Sequence, residues 1–162
     1  MEKIKTNAMR ILDKANIKYN TYTYDHSDGL IDGVSVATKM GLPIESVYKT
    51  LVTQGTRREY YVFVIPVAEE LDLKASARAV GEKSVEMIKV ADINKVTGYI
   101  RGGCSPIGMK KEYKTVLDSS CEILDKIIVS AGKIGHQIEL APADLIKLIN
   151  CKIDSIAVKR DL

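Results

Sequence analysis

The stretch VYKTLVTQGTRREYYVFVIP, residues 47–66, predicts a β-hairpin at the centre of a sheet. Val47 to Gln54 and Tyr60 to Pro66 are rich in the β-branched and aromatic residues that favour strands, and the glycine-led segment 55–58 between them predicts the turn. Since the run YVFVI of the second strand has no polar residue, we expect that strand to be central and buried on both faces.

Helix and strand patterns alternate on both sides of this hairpin. Apolar residues at helical spacing from Ile4 to Ala15 predict an amphipathic first helix that Thr6 or Asn7 caps. Further helices are predicted over residues 35–40 and 71–80, from residue 92 and from residue 142, and further strands over 19–24, 84–88, 115–117, 126–130, 137–140 and 156–158. The interleaving predicts one mixed α/β (α+β) domain over residues 1–162, with a curled, largely antiparallel mixed sheet surrounded by helices.

Local chemistry predicts where some of these helices begin. Ser35 is expected to cap the second helix, and Pro43 is expected at the first position of one further helical turn. The acidic residues Glu69, Glu70 and Asp72 are interpreted as the solvated start of the next predicted helix.

Composition and charge restrict the class of protein. The 162 residues are 46% hydrophobic and 28% charged, which is typical of a globular domain. A chain of this length buries enough surface to fold without disulfides or a structural metal. The net charge of +3 is too small for a dedicated duplex-DNA binder, but it is compatible with tRNA if the basic groups gather on one face.

Cysteine usage and apolar run lengths predict a cytoplasmic location. The number of cysteines is odd and they are widely spaced, at Cys104, Cys121 and Cys151. This argues against a disulfide framework and a zinc site. The N-terminal segment has no signal-peptide core, and no apolar run is long enough to span a bilayer. We therefore expect a soluble protein of the reducing cytoplasm, with no membrane partner, metal or other cofactor.

Lys49 is the first candidate functional residue. It lies in the predicted strand VYKTLV and shares a face with Val47 and Leu51, because side chains alternate along a strand. A lysine on an otherwise apolar face must pair, extend to solvent or face a pocket. Two interpretations stay open: an edge-strand lysine that discourages aggregation, and a functional cation.

Two glycine-containing segments are the next candidates. Residues 98–108, GYIRGGCSPIG, offer successive backbone N–H groups for an anion-binding nest, although glycine clusters more often mark tight turns. This loop matches neither the P-loop nor the dinucleotide-binding pattern. Residues 130–135, SAGKIG, follow an apolar strand and suit either the floor of a pocket or an ordinary turn.

No conventional catalytic set is present in the sequence. His26 and His136 are the two histidines, and neither has metal-ligand spacing. A thiol nucleophile at Cys104 with His136 as its base is disfavoured, because a free cysteine more often serves as a small apolar filler. Any catalysis is therefore expected to depend on positioning and electrostatics, without a protein nucleophile.

Four segments together resemble the YbaK/EbsC family. They are VYKTLV, VIPVAEELDLKASARAVGEKSVEM, TGYIRGGCSPIGMKK and VSAGKIGHQIEL, and their order and spacing resemble the family over nearly the whole chain. The family belongs to the superfamily of the prolyl-tRNA synthetase editing domain, whose members remove amino acids from mischarged tRNA. The resemblance implies that the chain has the fold of this superfamily. It also implies that the chain is a trans-editing aminoacyl-tRNA deacylase for Cys-tRNA(Pro), with Cys-tRNA(Cys) as a further substrate.

The resemblance also implies a set of site residues. Lys49 matches the family's essential lysine, which contacts the 3′ acceptor end of the tRNA, and Gly102 to Pro106 match a loop whose amides hold the aminoacyl ester. By this resemblance the catalytic residues are Lys49, Gly102 and Gly103, and the substrate-binding residues are Tyr24, Thr50, Cys104, Ser105, Pro106, Ser130 and Gln137. Gln137 departs from the family, whose members often carry aspartate there, so the substrate's amine is expected to be held differently.

The implied mechanism uses the substrate's own thiol, which attacks the ester carbonyl and releases tRNA and a cyclic thiolactone. Such editing has a physical purpose, because a synthetase pocket separates amino acids as similar in size as cysteine and proline by only about 1–3 kcal/mol. Two other functions stay open: deacylation of another mischarged tRNA such as Ala-tRNA(Pro), and non-catalytic binding to the tRNA 3′ end or to a synthetase. Prolyl-tRNA synthetase is the expected protein partner, and the isolated chain is expected to select tRNA weakly.

Overall fold

The computed structural model describes residues 4–159 and confirms the mixed α/β class. The helices are α1 (Asn7–Lys14), α2 (Gly33–Met40), α3 (Leu73–Val80), α4 (Ile93–Thr97) and α5 (Pro142–Ile149). The strands are β1 (Asn20–Thr23), β2 (Tyr48–Gly55), β3 (Tyr60–Pro66), β4 (Glu69–Leu71), β5 (Val85–Met87), β6 (Lys114–Asp118), β7 (Ile127–Lys133), β8 (His136–Leu140), β9 (Lys152–Asp154) and β10 (Ala157–Lys159). None of these helices, within residues 4–159, combines the length and the apolar character that crossing a membrane requires.

The strands form three sheets. The largest has the order β5-β2-β3-β6-β9, in which β2 pairs antiparallel with β3 and β5, whereas β3–β6 and β6–β9 are parallel. The sheets β1-β8-β7 and β10-β4 are antiparallel, so most pairings are antiparallel, as predicted. A parallel bridge between Val47 and Ile128 joins the two larger sheets at the start of β2.

The hairpin of β2 and β3 is confirmed at the centre of the five-stranded sheet. The ladder runs from Tyr48 opposite Pro66 to Gln54 opposite Tyr60. Val64 packs into the main core on one face of β3, and Phe63 packs into a second apolar cluster on the other, each with 0% exposure. Because both faces are covered, the absence of polar residues in this strand is explained by its burial.

The main core lies between the two larger sheets and is closed by α1 and α5. Leu12 of α1 and Leu145 of α5 are fully buried there, against Val129 and Ile138 of the three-stranded sheet. Thr6 caps α1, as predicted, because its hydroxyl accepts from the N–H of Met9 at 3.2 Å. The apolar face of α1 is thereby fixed against the sheet that carries the site described below.

Three predicted helix starts differ in the structure. Asp32, rather than Ser35, caps α2, because its carboxylate accepts from the Ser35 N–H at 3.1 Å and the helix begins two residues earlier than predicted. Asp72 caps α3 by accepting from the N–H of Ala75, so this helix begins at Leu73 and not at residue 71. Pro43 precedes the 3-10 turn Ile44–Ser46 and does not occupy its first position.

Two short strands were absent from the sequence prediction. Glu69–Leu71 is β4, which pairs with β10, so that Glu69 and Glu70 belong to a strand and not to a helix start. β9 pairs with β6 in parallel. β10 covers Ala157–Lys159, one residue later than predicted, and the N–H of Ile156 donates to the Asp118 carboxylate at 3.0 Å.

Candidate functional site

Three chain segments meet at one end of the three-stranded sheet. The N–H of Tyr24 donates to the carbonyl of Gly135 at 3.0 Å. A Cβ atom on Gly135 would lie 2.9 Å from Cδ2 of His26, and one on Gly103 would lie 3.1 Å from the backbone nitrogen of Ile134. The segment that follows β1, the glycine loop 98–108 and the bend between β7 and β8 are therefore in direct contact.

Glycine is required where the glycine loop packs against its neighbours. Gly132 has a φ of +94°, and a Cβ there would lie 2.9 Å from Cε1 of Tyr99. Gly102 has a φ of +84°, and its Cβ would lie 2.7 Å from Cδ1 of Ile31. Both positions combine a left-handed backbone with a close approach, which only glycine tolerates. These glycines thus hold the loops together in addition to forming turns.

Ser130, Gln137 and Tyr22 share one face of the three-stranded sheet. Gln137 pairs with Ser130 on one side and with Tyr22 on the other, and paired residues project to the same face. Tyr24 follows Tyr22 by two residues, so it continues this face. Their neighbour Ile138 projects to the opposite face and packs into the main core. The face that carries Ser130 and Gln137 is thus available for a site.

Lys49 joins this face through the bridge between the two larger sheets. Val47 and Ile128 form the bridge and pack in one apolar cluster with α2. Lys49 and Ser130 each lie two residues beyond the bridge, in the same direction, on the neighbouring strands β2 and β7. Lys49 pairs with Ile65 of β3, whereas β5 pairs with β2 at Thr53–Gly55, so the sheet order leaves both interpretations of Lys49 open.

Two buried polar atoms at this face have no hydrogen-bond partner within residues 4–159. They are Oη of Tyr24 and Oε1 of Gln137, in side chains of residues that are 8% and 6% exposed. Leaving such an atom unpaired costs about 1–3 kcal/mol, so a partner supplied by a ligand is a physical reason to retain it. A third atom of this kind, Oγ of Ser76, belongs to α3, which contributes nothing to this face.

The glycine loop offers backbone N–H groups, although not the one at Gly103. That N–H donates to the carbonyl of Ile100 at 2.9 Å. The N–H groups of Gly102 and Cys104, which are half-buried, have no acceptor among the described residues. The loop therefore presents one unpaired donor on each side of Gly103.

The side chains of Ser105 and Pro106 in this loop are turned inward. Ser105 is fully buried, and its hydroxyl accepts from the N–H of Ile107 at 3.2 Å, while Pro106 is also buried. Burial raises the pKa of the Cys104 thiol to about 11, against a smaller opposing effect of its hydrogen bond with Thr97. Cys104 is thus a protonated thiol at neutral pH and a poor nucleophile.

Thr50 is not brought onto the Lys49 face. Successive residues of β2 alternate between faces, and Tyr48 and Val52, which share the parity of Thr50, pack in the main core. Thr50 thus lies on the other face of β2 from Lys49, and its role in substrate binding stays a prediction.

Both histidines lie at the edge of this site, which the sequence analysis did not predict. The rings of His26 and Tyr24 meet edge to face with centroids 6.4 Å apart. The pKa of His136 is lowered by burial and, to a smaller extent, by Lys133 and His26. The sequence feature that could have indicated this position is that the histidines lie in the segments TYDHS and GHQIEL. Their spacing gave no indication. Within residues 4–159 no group of three or more His, Cys, Asp or Glu residues is arranged to hold a metal ion.

Comparisons with known proteins agree on one family and one fold. A family model described as the aminoacyl-tRNA editing domain matches residues 32–148. EbsC of Enterococcus faecalis (strain ATCC 700802 / V583), named as a Cys-tRNA(Pro)/Cys-tRNA(Cys) deacylase, is 46% identical over 155 residues, which cover 96% of this chain and 94% of that protein.

Two crystal structures resemble the fold. A hypothetical protein superposes with a TM-score of 0.83 at 17% identity, covering 92% of this chain and 97% of the other. A protein described as a trans-editing enzyme for prolyl-tRNA synthetase superposes with a TM-score of 0.77 at 19% identity, covering 96% and 99%. At these identities the similarity establishes the fold alone.

Proposed function

The chain belongs to the aminoacyl-tRNA editing domain family, and we propose that it is a deacylase that removes cysteine from Cys-tRNA(Pro) and from Cys-tRNA(Cys). The observation that carries the proposal is the 46% identity, over nearly the full length of both chains, to a protein whose name states these two substrates. The enzyme acts as one domain over residues 1–162, in the cytoplasm, where aminoacyl-tRNA is used.

Lys49 and the glycine loop hold the two ends of the scissile ester. The Lys49 ammonium, beside Ser130, contacts the phosphate or ester oxygens at the 3′-terminal adenosine. The N–H groups of Gly102 and Cys104 donate to the ester carbonyl and to the oxyanion that forms from it. Donors fixed in advance stabilise the transition state more than flexible ones, because no reorganisation is needed during the reaction.

Tyr24 and Gln137 bind the aminoacyl group. The buried Oε1 of Gln137 accepts from the substrate's ammonium, and the Tyr24 hydroxyl supplies a second polar contact. The ammonium makes a charge-assisted hydrogen bond to either acceptor, but aspartate would add an opposite charge, so an amide at this position holds the amine less tightly than aspartate would. Selection for cysteine then depends chiefly on the reaction of the substrate thiol.

The substrate supplies the nucleophile. The thiol sulfur forms a bond to the ester carbonyl carbon, the bond from that carbon to the 3′-terminal ribose oxygen breaks, and the thiol proton passes to the leaving oxygen. The products are tRNA with a free hydroxyl and the cyclic thiolactone of cysteine. The chain's contribution is to fold the substrate into this geometry, which agrees with the high pKa of about 11 at Cys104.

The first experiment compares the loss of amino acid from Cys-tRNA(Pro), Cys-tRNA(Cys) and Ala-tRNA(Pro). Wild type is assayed beside Lys49→Ala, with Lys74→Ala, an exposed lysine of α3, as the matched control. We expect loss of cysteine only, abolished in Lys49→Ala and unchanged in Lys74→Ala. Loss of alanine would identify Ala-tRNA(Pro) as the substrate. It would also exclude the substrate-thiol mechanism, because alanine has no thiol. Binding of tRNA without any ester cleavage would favour a non-catalytic module.

Prolyl-tRNA synthetase is the proposed protein partner. With a net charge of +3, the isolated chain has little electrostatic affinity for tRNA, and this affinity does not distinguish one tRNA from another. We expect the purified protein to cleave Cys-tRNA(Pro) and Cys-tRNA(Cys) at similar rates, and added synthetase to favour the former. Strong preference for Cys-tRNA(Pro) without the synthetase would contradict this partnership.

A further inference from the structure

A basic groove of about 530 Å³ lies at the turn between β2 and β3, at the opposite end of β2 from Lys49. Four cationic side chains line it, Arg57, Arg58, Lys111 and Lys114, together with two acidic ones, Glu59 and Glu112. We propose that this basic groove binds the phosphate backbone of the tRNA acceptor stem while the 3′ end occupies the site at Lys49. The inference rests on the proposed function and adds a second contact surface to it.

Three of the four cations are without a carboxylate partner. No ion pair within residues 4–159 involves Arg58, Lys111 or Lys114, and all three are exposed. Arg57 is anchored, with its Nε 3.5 Å from the Glu82 carboxylate and a hydrogen bond to the Gly81 carbonyl. Unpaired cations gathered in a concave surface attract a polyanion, and release of its counterions supplies the affinity.

Arg58 occupies an unusual backbone conformation for an arginine. Its φ is +65°, in the left-handed region where glycine or asparagine would be accommodated with less strain. The turn is closed on both sides, by Arg58 N–H to the Gly55 carbonyl at 3.0 Å and by Gly55 N–H to the Glu59 carbonyl at 2.9 Å. The strained position therefore presents a long cationic side chain at the mouth of the groove, where the fold alone would favour a smaller residue.

Aromatic rings form the inner wall of the groove. Tyr60 and Tyr113 meet edge to face with centroids 5.9 Å apart, and the Tyr113 hydroxyl donates to the carbonyl of Val96, which fixes that ring. Tyr60 is half-buried, so part of its ring stays open to the groove. Aromatic surface among unpaired cations is the combination that nucleic acids recognise through stacking and phosphate contacts together. This favours RNA over an acidic protein surface.

The distance between the groove and the site suits one tRNA molecule. Five residues of β2 separate the pair Lys49–Ile65 from the pair Gln54–Tyr60, or roughly 17 Å at about 3.3 Å per residue. That length corresponds to about five nucleotides at the stacked rise of about 3.4 Å. An ester held at Lys49 therefore places the first base pairs beyond the unpaired 3′ end near the groove. Lys111 and Lys114 follow the glycine loop 98–108 in the chain.

The test is the salt dependence of binding to uncharged tRNA, for wild type and the triple variant Arg58→Gln, Lys111→Gln, Lys114→Gln. The matched control is Lys74→Gln, Lys126→Gln, Lys147→Gln, three exposed lysines outside the groove. Each phosphate contact contributes about 0.7–0.9 to the slope of log affinity against log salt, so the groove variant should lose about two units of slope. The control should lose less than one.

A short substrate separates this proposal from the proposed function. Cysteine esterified to a CCA trinucleotide reaches the site at Lys49 but not the groove, so we expect the groove variant to cleave it like wild type while its KM for Cys-tRNA(Pro) rises at least tenfold. Equal tRNA binding and equal KM in the groove variant would overturn the groove proposal. So would loss of association with prolyl-tRNA synthetase while tRNA binding is retained, because the groove would then be a protein-binding surface. Failure of wild type to cleave either ester would overturn the function, and the tRNA-binding comparison would still decide on the groove.

Discussion

Ser130 and Gln137 lie directly opposite each other in the antiparallel ladder of β7 and β8, yet Oε1 of Gln137 accepts no hydrogen bond from Ser130 or from any other residue of the described range 4–159. The hydroxyl of Ser130 instead accepts from the N–H of Gly132 at 3.1 Å. A buried acceptor left unpaired beside a hydroxyl destabilises the free protein. Gln137 therefore does not serve the stability of the fold through this oxygen, which indicates a functional role.

The substitution Gln137→Met is expected to leave the free energy of unfolding unchanged or to raise it, because it removes an unpaired buried oxygen and nearly preserves side-chain volume. Deacylation of Cys-tRNA(Pro) should fall at least tenfold, since a hydrogen bond to a charged amine contributes about 1.5–3 kcal/mol. Urea unfolding and single-turnover cleavage measure the two effects. Thr53→Val is the control, because the buried Thr53 hydroxyl donates to the Tyr61 carbonyl at 3.2 Å and its loss should lower stability with activity kept. A destabilised Gln137→Met protein with full activity would contradict the assignment.

Two tyrosines also allow an effect on activity to be separated from an effect on stability, each by removal of a single hydroxyl. Oη of Tyr24 is buried without a partner, whereas the Tyr48 hydroxyl lies 2.6 Å from Oγ of Ser120. Tyr24→Phe should keep its stability and lose activity, while Tyr48→Phe should lose about 1 kcal/mol of stability and keep its activity. Thermal unfolding with cleavage assays on both variants checks this. The reverse pattern would remove Tyr24 from the site.

Local sequence patterns predicted the parts of the fold that depend on neighbouring residues. The alternation around Lys49 and the apolar run of β3 identified the hairpin, since both signals lie within a few residues. The glycine loop was identifiable because its glycines cluster within residues 98–108. Each of these features is encoded within one short segment.

The remaining features depend on pairings between distant segments. β1 opposes β8 with Asn20 across from Glu139, and β4 pairs with β10, so neither arrangement leaves a local signal in the chain. The missing partner of Gln137 becomes evident only when all neighbours are placed. Hydrogen-bond satisfaction is a tertiary property, and sequence patterns do not report it.

The protein should resist thiol reagents at neutral pH. Burial raises the pKa of Cys104 and of Cys151 to about 11 and also raises that of Cys121, so the reactive thiolate is scarce in all three. Iodoacetamide at pH 7 should leave deacylation unchanged, whereas alkylation of the substrate's cysteine should abolish it. Mass spectrometry of the treated enzyme and a cleavage assay give the result. Inactivation that tracks with modification of Cys104 would restore an enzyme thiol to the mechanism.

Gly55 is expected to be intolerant of a side chain because of Glu82. A Cβ at Gly55 would lie 2.3 Å from Oε2 of Glu82, whose carboxylate accepts from the hydroxyls of Tyr61 at 2.6 Å and Thr56 at 3.1 Å. Gly55→Ala should lower stability by about 1–3 kcal/mol, and Glu82→Ala should also lower it by breaking these bonds. The double variant should lose less than the two single losses combined, because the clash needs both groups. Strictly additive losses in urea unfolding would contradict the contact.

Glu82 should also make the free energy of unfolding depend on pH in the acidic range. The Tyr61 hydroxyl, followed by Thr56 and Arg57, holds the pKa of the Glu82 carboxyl below its ordinary value, while the same contact raises the pKa of Tyr61 to about 12. A carboxyl with a lowered folded pKa stabilises the protein above its unfolded pKa of about 4.3, and this contribution is lost as the pH falls through the folded pKa. Glu82→Gln removes the charge but keeps an acceptor for Tyr61, so the difference in unfolding free energy between variant and wild type should be larger at pH 7 than at pH 3. Urea midpoints at the two pH values measure that difference, with Glu86→Gln, an exposed carboxyl of β5, as the control. Equal differences at both pH values would mean that the Glu82 contacts stabilise the hairpin through hydrogen bonding alone, without its charge.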